Sequence, residues 1–248
     1  EIYQCDWSSD VCSSDLQNVI FEKNTITGVP NEGGGISFGR PFWEFNPSMI
    51  THNIYAGYNT MLTVQKNEAE GFTTDGGTEA YVGYMSAFTA NSVTTSNDLD
   101  YQWTGATNHQ TLTVTVIQGR GVGQWRQVQS ISGRVITVDR AWDVIPDSSS
   151  IISVTSSVLR INISHNIIKD TIRGGVTFYG NIYDSVSSYN DMTNTGIEID
   201  SQNYGVLLHV VGVDVIGNNI KLGANTMFPT DPGGAAIWGR NTEGTLVA

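Results

Sequence analysis

A short recurring pattern constrains the fold of this chain more than any other feature. It consists of an apolar residue, two variable residues, Asn, one variable residue and a second apolar residue. Five copies occur, one with Ser in the first apolar position, at residues 21–26, 50–55, 163–168, 187–192 and 215–220. Their asparagines are Asn24, Asn53, Asn166, Asn190 and Asn218. A second pattern follows four of the five copies. It consists of Gly, an apolar residue, a variable residue and a second apolar residue, and it begins at Gly35, Gly175, Gly196 and Gly234.

The spacing of these patterns is typical of a solenoid. Asn166 and Asn190 are 24 residues apart, and Asn190 and Asn218 are 28 residues apart. Such a unit holds two or three short strands and leaves no room for a helical crossover, so successive units must stack as parallel strands around one axis. Asn tolerates the left-handed conformation of a corner, and its amide can bond the same amide in the next coil. The sequence therefore predicts an all-β parallel β-helix.

Composition agrees with this fold and excludes several classes of protein. Valine and isoleucine together number 46 against nine leucines, which favours pleated sheet over helix bundles. No run of about 18 apolar residues occurs, so we expect no membrane insertion. The formal net charge is −12, which would repel phosphates and makes nucleic acid a poor partner.

The two ends of the repeat region enclose a segment without the Asn and Gly pattern. Residues 61–156 are interpreted as an insert, and their second half, residues 111–154, alternates apolar and polar residues between turns. This alternation predicts a small antiparallel β module. Residues 17–60 then form the first β-helix coils, and residues 157–248 form the further coils. The glycines at 119–123 lack the Lys-Ser/Thr of a phosphate loop and predict a hairpin turn.

The first sixteen residues stand apart from the rest. Residues 6–16 resemble the one-frame translation of a widely used sequencing adapter, so we interpret residues 1–16 as an artefact and exclude them from fold reasoning. Both cysteines, Cys5 and Cys12, lie there and carry no information on redox compartment. We therefore expect a metagenomic fragment whose true start and signal peptide are missing.

The strand and turn patterns of residues 17–60 and 157–241 resemble the right-handed parallel β-helix superfamily, which includes pectate lyases, polygalacturonases and phage tailspikes. The resemblance implies a right-handed coil, a polysaccharide as substrate class, and an extracellular or cell-surface location. The catalytic motifs of polygalacturonases and pectate lyases do not occur here in order, so no catalytic residue is carried over from them.

Aligning the second strand of four coils predicts one outward ladder of side chains. Ile36/Phe38, Val176/Phe178, Ile197/Ile199 and Ala235/Ile237 point inward, because side chains alternate along a strand. The outward positions are then Ser37/Gly39, Thr177/Tyr179, Glu198/Asp200 and Ala236/Trp238, with Arg240 just beyond.

This ladder supplies the candidate site. Glu198 and Asp200 should lie about 6–7 Å apart at Cα and could act as acid and base on a glycosidic bond, although exposed acid pairs are usually only solvated. Tyr179 and Trp238 would stack on sugar rings, and Arg240 would bind nearby. Trp43, in the loop of residues 41–47, either roofs the groove or caps the solenoid.

Metal chemistry has weaker support. Glu68, Glu70, Asp75 and Glu79 form an acidic loop that could hold calcium, and a solvated turn explains it better. The histidines His52, His109, His165 and His209 show no metal-ligand spacing, so we expect neither zinc nor another cofactor. His209 should point outward on its strand.

Two functions remain open from the sequence. The first is a hydrolase or lyase that binds and cleaves polysaccharide in a lateral groove. The second is a noncatalytic structural or glycan-binding solenoid, such as a phage tail-fibre or adhesin segment, for which we expect a homotrimer. Fold alone does not decide between them.

Overall fold

The structure is a computed structural model that describes residues 16–30, 36–39, 51–65, 70–75, 79–99, 112–171, 174–201, 209–222, 236–240, 242–243 and 246–247. All of its elements are strands. The chain winds in coils that each contribute a strand to three parallel sheets. In the described residues no helix is long and apolar enough to cross a membrane.

The first two coils precede the inserted module. Coil 1 contains β1 (Leu16–Gln17), β2 (Ile20–Glu22), β3 (Thr25–Pro30) and β4 (Ile36–Gly39). Coil 2 contains β5 (Thr51–Gly57), β6 (Thr60–Gln65) and β7 (Phe72–Asp75).

The module follows as a closed six-stranded antiparallel barrel. Its strands are β8 (Glu79–Phe88), β9 (Ser92–Thr95), β10 (Leu112–Gln118), β11 (Trp125–Ser132), β12 (Val135–Val138) and β13 (Ile151–Ser156). Buried Val114, Val116, Ile152 and Val154 fill its interior, because alternate residues of these strands face inward.

The remaining coils resume the solenoid. Coil 3 contains β14 (Val158–Ser164), β15 (Ile167–Lys169) and β16 (Val176–Tyr179). Coil 4 contains β17 (Ile182–Ser188), β18 (Asp191–Thr193) and β19 (Ile197–Asp200). Coil 5 contains β20 (Val210–Ile216), β21 (Asn219–Lys221) and β22 (Ile237–Arg240), and β23 (Thr242–Glu243) and β24 (Leu246–Val247) begin the next coil.

Sheet A has the order β1-β5-β14-β17-β20-β23, with β2 also on β5 and β24 on β20. Sheet B has the order β3-β6-β15-β18-β21, and sheet C has the order β4-β7-β16-β19-β22. All pairs within these three sheets are parallel, as in β14 with β5, β15 with β6 and β16 with β7. The predicted fold class, a right-handed parallel β-helix with a small antiparallel insert, is confirmed.

The core of the solenoid is a column of apolar side chains between the three sheets. Ile54, Met61, Ile161, Phe178 and Ile199 are among its members, each at most 1 % exposed. The predicted inward positions Ile36, Phe38, Val176, Phe178, Ile197 and Ile199 all belong to this column or pack against it. Burial of this continuous apolar column stabilises the stack, since each fully buried side chain contributes roughly 1.5–3 kcal/mol.

An asparagine ladder marks the corner between sheets A and B. The side-chain Nδ2 of each Asn donates to Oδ1 of the next, through Asn24–Asn59 (2.9 Å), Asn59–Asn166 (3.0 Å), Asn166–Asn190 (2.9 Å) and Asn190–Asn218 (2.9 Å). The residue before each ladder Asn is left-handed, with φ between 53° and 61°, at Lys23, Tyr58, His165, Tyr189 and Gly217. The predicted role of Asn as a corner residue with stacked amides is therefore observed.

One predicted ladder member is wrong. Asn59, and not Asn53, occupies the corner of coil 2, since residues 56–61 fit the same sequence pattern. Asn53 lies in mid-strand with φ 55°, donates to Asn18 Oδ1 (2.9 Å) and accepts from Arg160 Nε (2.6 Å). It belongs to a second left-handed row across sheet A, which consists of Asn18, Asn53, Arg160, Asp184 and Gly212.

The module and the solenoid meet on the outward face of sheet A. Trp125 of β11 packs with Leu159, Tyr183 and Val211, and its ring centroid lies 4.8 Å from that of Tyr183. The buried hydroxyls of Thr115 and Tyr183 are hydrogen-bonded at 2.7 Å. Residues 61–75, which the sequence analysis grouped with the insert, include strands of sheets B and C, and the barrel itself begins at Glu79. The other predicted domain boundaries stay predictions.

Candidate functional site

The predicted ladder lies on sheet C, in the arrangement that parallel pairing imposes. Glu198 and Asp200 of β19 are in register with Thr177 and Tyr179 of β16. Ile197 and Ile199, which alternate with the two acids, lie in the core, so both carboxylates are on the opposite face of the strand. The structure thus brings Glu198, Asp200 and Tyr179 together.

Two details of the predicted alignment are wrong. On β22, Trp238 is in register with Glu198, and Arg240 is in register with Asp200. The sequence alignment had instead paired Ala236 with Glu198 and Trp238 with Asp200, so it was shifted by two residues. In addition, β7 lies between β4 and β16, so Thr73 separates Ser37 from Thr177. The sequence pattern missed β7 because Thr74, buried and hydrogen-bonded to the Tyr179 backbone, replaces its second apolar residue.

The exposure of the site differs from the prediction. Glu198 and Asp200 are each 1 % exposed and Tyr179 is 3 % exposed, whereas the alternation predicted a solvated outward face. Thr73 and Thr177, on the same face, are also buried. Strand alternation determines which face a side chain is on, but it does not determine what covers that face. The acid pair is therefore a buried polar cluster and not an open groove.

The other predicted binding residues are described in part or not at all. The structure gives the backbone positions of Trp238 and Arg240 on β22. Trp43 lies outside the described residues. Their roles in sugar binding stay predictions.

Aspartates of sheet A are the residues that sequence reasoning missed. Asp184 is exposed and left-handed at φ 49°, and Asp214 follows on the next coil. Although Asp184 is exposed, surrounding protein atoms partly shield its carboxyl from water, and this desolvation raises its pKa. The negative charge of Asp214 raises the pKa further, whereas the guanidinium groups of Arg160 and Arg140 lower it. The sequence does contain a repeat at this position, since residues 158–160 and 182–184 both consist of two apolar residues followed by a charged one. The repeat alone does not show that Asp184 lies beside the module.

Of the four histidines, the structure describes the side chains of His165 and His209. The His165 ring stacks between Tyr58 and Tyr189, with centroid distances of 4.9 and 5.3 Å. His209, predicted to point outward on its strand, precedes the core residue Val210. Its Nε2 is buried, and burial lowers its pKa to about 4. Within the described ranges no three His, Cys, Asp or Glu side chains form a group that could hold a metal ion. Of the four acidic residues proposed for calcium, Glu68 lies outside these ranges. Glu70 is buried, Asp75 is the last residue of β7, and Glu79 is the first residue of β8.

Comparisons with known proteins place few constraints on this chain. No family of known proteins and no curated protein matches it. Solved structures to which it is similar include the tailspike gp49 of Pseudomonas phage LKA1, with 9 % identity, a TM-score of 0.31, and coverage of 85 % of this chain and 46 % of the tailspike. The tailspike gp61 of Pseudomonas phage phi297 has 12 % identity, a TM-score of 0.29, and coverage of 80 % and 42 %.

A third similar structure is the Gp54 tailspike of Acinetobacter baumannii bacteriophage AP22, solved in complex with A. baumannii capsular saccharide. It has 10 % identity and a TM-score of 0.31, with coverage of 85 % of this chain and 41 % of the tailspike. The chain therefore spans less than half the length of each of these three proteins.

Proposed function

We propose that this protein is an extracellular or surface-exposed β-helix that binds a polysaccharide. The observation that supports this most is the regular stack of parallel coils, which sets the side chains of one coil in register with those of the next. Such a stack repeats side chains of one face at intervals of about 4.8 Å along a rigid axis. Repeated polar side chains at this spacing suit a polymer of repeated hydroxylated rings.

We further propose that Glu198 and Asp200 cleave the bound polymer, as predicted from the sequence. Two carboxyl groups on one strand face can divide the roles of acid and base if their environments separate their proton affinities. Trp238 and Arg240, next to them on β22, would then orient the sugar.

A noncatalytic function is the second candidate, and the burial of the acid pair favours it. A polymer does not reach carboxylates that are 1 % exposed in the folded chain. In that case the protein is a glycan-binding or structural solenoid, such as a tail-fibre or adhesin segment, and we expect a homotrimer by light scattering.

One experiment separates the two candidates. Purified protein is incubated with a neutral glucan (dextran), an acidic galacturonan and bacterial capsular polysaccharides, and both retention on immobilised polymer and new reducing or unsaturated ends are measured. Glu198→Gln and Asp200→Asn keep the shape of the buried side chains and remove the charge. Asp191→Asn, an exposed site on sheet B, is the control.

The catalytic proposal expects wild-type protein and Asp191→Asn to release ends, and the two buried-site variants to bind without releasing them. Binding by wild-type protein without any new ends supports the noncatalytic candidate. If wild-type protein binds none of these polymers, the proposed function is wrong.

A further inference from the structure

A second, more open surface lies on sheet A, beside the module. We name it the sheet A strip and define it by Tyr55, Arg160, Asn162, Asp184 and Asp214. Asn162 pairs with Tyr55 on one side and Val186 on the other, and Val186 pairs with Asp214. Arg160 and Asp184 occupy adjacent left-handed positions one row away. The strip therefore crosses coils 2 to 5.

The module forms one wall of the strip. Trp125 packs on the neighbouring row of sheet A, which consists of Leu159, Tyr183 and Val211. Arg140 of the module lies over the Trp125 ring, 5.2 Å from its centroid, with its side chain 52 % exposed. Its charge acts on Asp184, so the arginine lies at the border between the module and the strip.

Tyr55 provides a flat apolar surface at one end. Its ring lies over Gly57, in the space that a side chain at position 57 would occupy. The residue is half-buried, and its ring extends along the strand from position 55 to position 57. Aromatic rings that lie flat in this way are the surfaces on which the apolar faces of sugars stack.

Polar groups of both signs occupy the rest of the strip. Arg160 donates through Nε to Asn53, and the Asp184 carboxylate leans over Gly212, whose lack of a side chain leaves room for it. The Oδ1 atom of Asn162 is buried and has no hydrogen-bond partner among the described residues. The strip has one arginine and two aspartates, and Arg140 of the module adds a second positive charge at its border.

These features favour a hydroxyl-rich polymer over a nucleic acid. Carboxylates accept hydrogen bonds from hydroxyl groups, and guanidinium groups donate to hydroxyl and ring oxygens. Asp184 and Asp214 would repel the phosphates of a nucleic acid. From Tyr55 to Asp214 the strip crosses three strand spacings, about 14 Å, which suits a chain segment of several linked rings.

We propose that the sheet A strip is the glycan-binding site of the protein, and that a polysaccharide segment lies along the solenoid axis against the module. This inference rests on the proposed function. It assigns polysaccharide binding to the open face of sheet A instead of the buried face of sheet C. Tyr55 would stack on a sugar ring, and Asp184 and Asp214 would accept hydrogen bonds from hydroxyl groups.

The test uses the full chain and whichever of dextran, galacturonan or capsular polysaccharide the wild-type protein retains. Tyr55→Ala, Asp184→Asn and Asp214→Asn are compared with the wild type by biolayer interferometry. Tyr189→Ala is the matched control, because Tyr189, which is exposed, also covers a glycine, Gly217, elsewhere on the solenoid. Tyr55→Phe keeps the ring, and thermal unfolding checks that each variant is folded.

We expect Tyr55→Ala and Asp214→Asn to weaken binding tenfold or more, Asp184→Asn to weaken it severalfold, and Tyr55→Phe and Tyr189→Ala to stay within twofold of the wild type. Folded strip variants that bind as tightly as the wild type would overturn this inference while leaving the proposed function intact. If the wild type binds none of the polymers, the proposed function fails and the inference fails with it.

Discussion

The side chain of Asn59 donates a hydrogen bond of 3.0 Å to Asn166, although 107 residues separate the two in the sequence. The whole module lies between them, so an entire barrel is inserted between adjacent coils without interrupting the ladder. Because the coils on both sides of the module stay in register, surfaces that cross them are continuous. Both proposed glycan-facing surfaces depend on this continuity.

The ladder should contribute strongly to stability. Asn166 is buried, accepts from the backbone N–H and side chain of Asn59, and donates to Asn190 and to the carbonyl of Ala56. Asn166→Ala leaves several of these buried groups without partners, so we expect the free energy of unfolding to fall by about 2–4 kcal/mol. Urea denaturation measures this.

Asn219→Ala is the control for that experiment. Asn219 bonds Asp191 in an exposed ladder of sheet B, where water can replace the lost partner. Its loss should cost at most about 0.5 kcal/mol. Equal destabilisation by the two substitutions would show that the buried ladder has no special role.

The module should be coupled energetically to the solenoid through Tyr183. Its hydroxyl and that of Thr115 are hydrogen-bonded at 2.7 Å, and both residues are fully buried. Tyr183→Phe and Thr115→Val should each destabilise the protein, and the double variant should lose about 1 kcal/mol less than the sum of the single losses. A double-mutant cycle in urea measures this. Strict additivity would contradict docking of the module as described.

His209 should make the fold sensitive to acid. Burial lowers its pKa to about 4 from an ordinary value of 6.5, so the unfolded chain binds the proton more readily than the folded chain between these values. Stability should therefore decrease as the pH falls from 6.5 to 4, by up to about 3 kcal/mol. The free energy of unfolding is measured at several pH values for wild type and His209→Gln. Equal decreases in both proteins would contradict the assignment.

Asp184 should have the opposite dependence. Its pKa is raised, mainly by partial burial, so the folded state binds the proton more tightly and ionisation above the ordinary value of 3.8 costs stability. Asp184→Asn removes this cost, and Asn tolerates the left-handed backbone at this position. The melting temperature of the variant relative to the wild type should therefore rise from pH 3 to pH 7. A constant difference over this range would contradict the raised pKa.

The repeat pattern was sufficient to predict the coils, because Asn and Gly are required at corners for reasons that are local to the backbone. It did not distinguish Asn53 from Asn59, since Asn also suits the left-handed mid-strand row of sheet A. It did not detect β7 either, because Thr74 takes a buried position through a hydrogen bond instead of an apolar side chain.

The candidate site was predicted less well than the fold, and for a physical reason. Alternation correctly placed Glu198, Asp200 and Tyr179 on one face of sheet C, but burial of that face depends on tertiary packing. Conversely, Asp184 and Asp214 can be identified as candidate binding residues only from the structure, in which the module docks beside them. Local periodicity identifies faces, whereas the contacts between distant segments determine which faces are open.

Cross-linking of neighbouring coils tests the stacking itself most directly. Thr60 and Ile167 are register partners on sheet B, next to the inward Met61 and Ile168. Strand neighbours about 4.8 Å apart can accept a disulfide. In a background with Cys5 and Cys12 changed to Ser, the Thr60→Cys/Ile167→Cys protein is oxidised mildly and its cross-linked fraction is measured by intact mass and non-reducing electrophoresis.

The stacked coils predict near-complete cross-linking in this pair, and little in Thr60→Cys/Asp191→Cys, because Asp191 is one further strand away, about 9.6 Å from Thr60. No cross-link in the first pair, or equal cross-linking in both, would contradict the coil register on which both proposed surfaces depend.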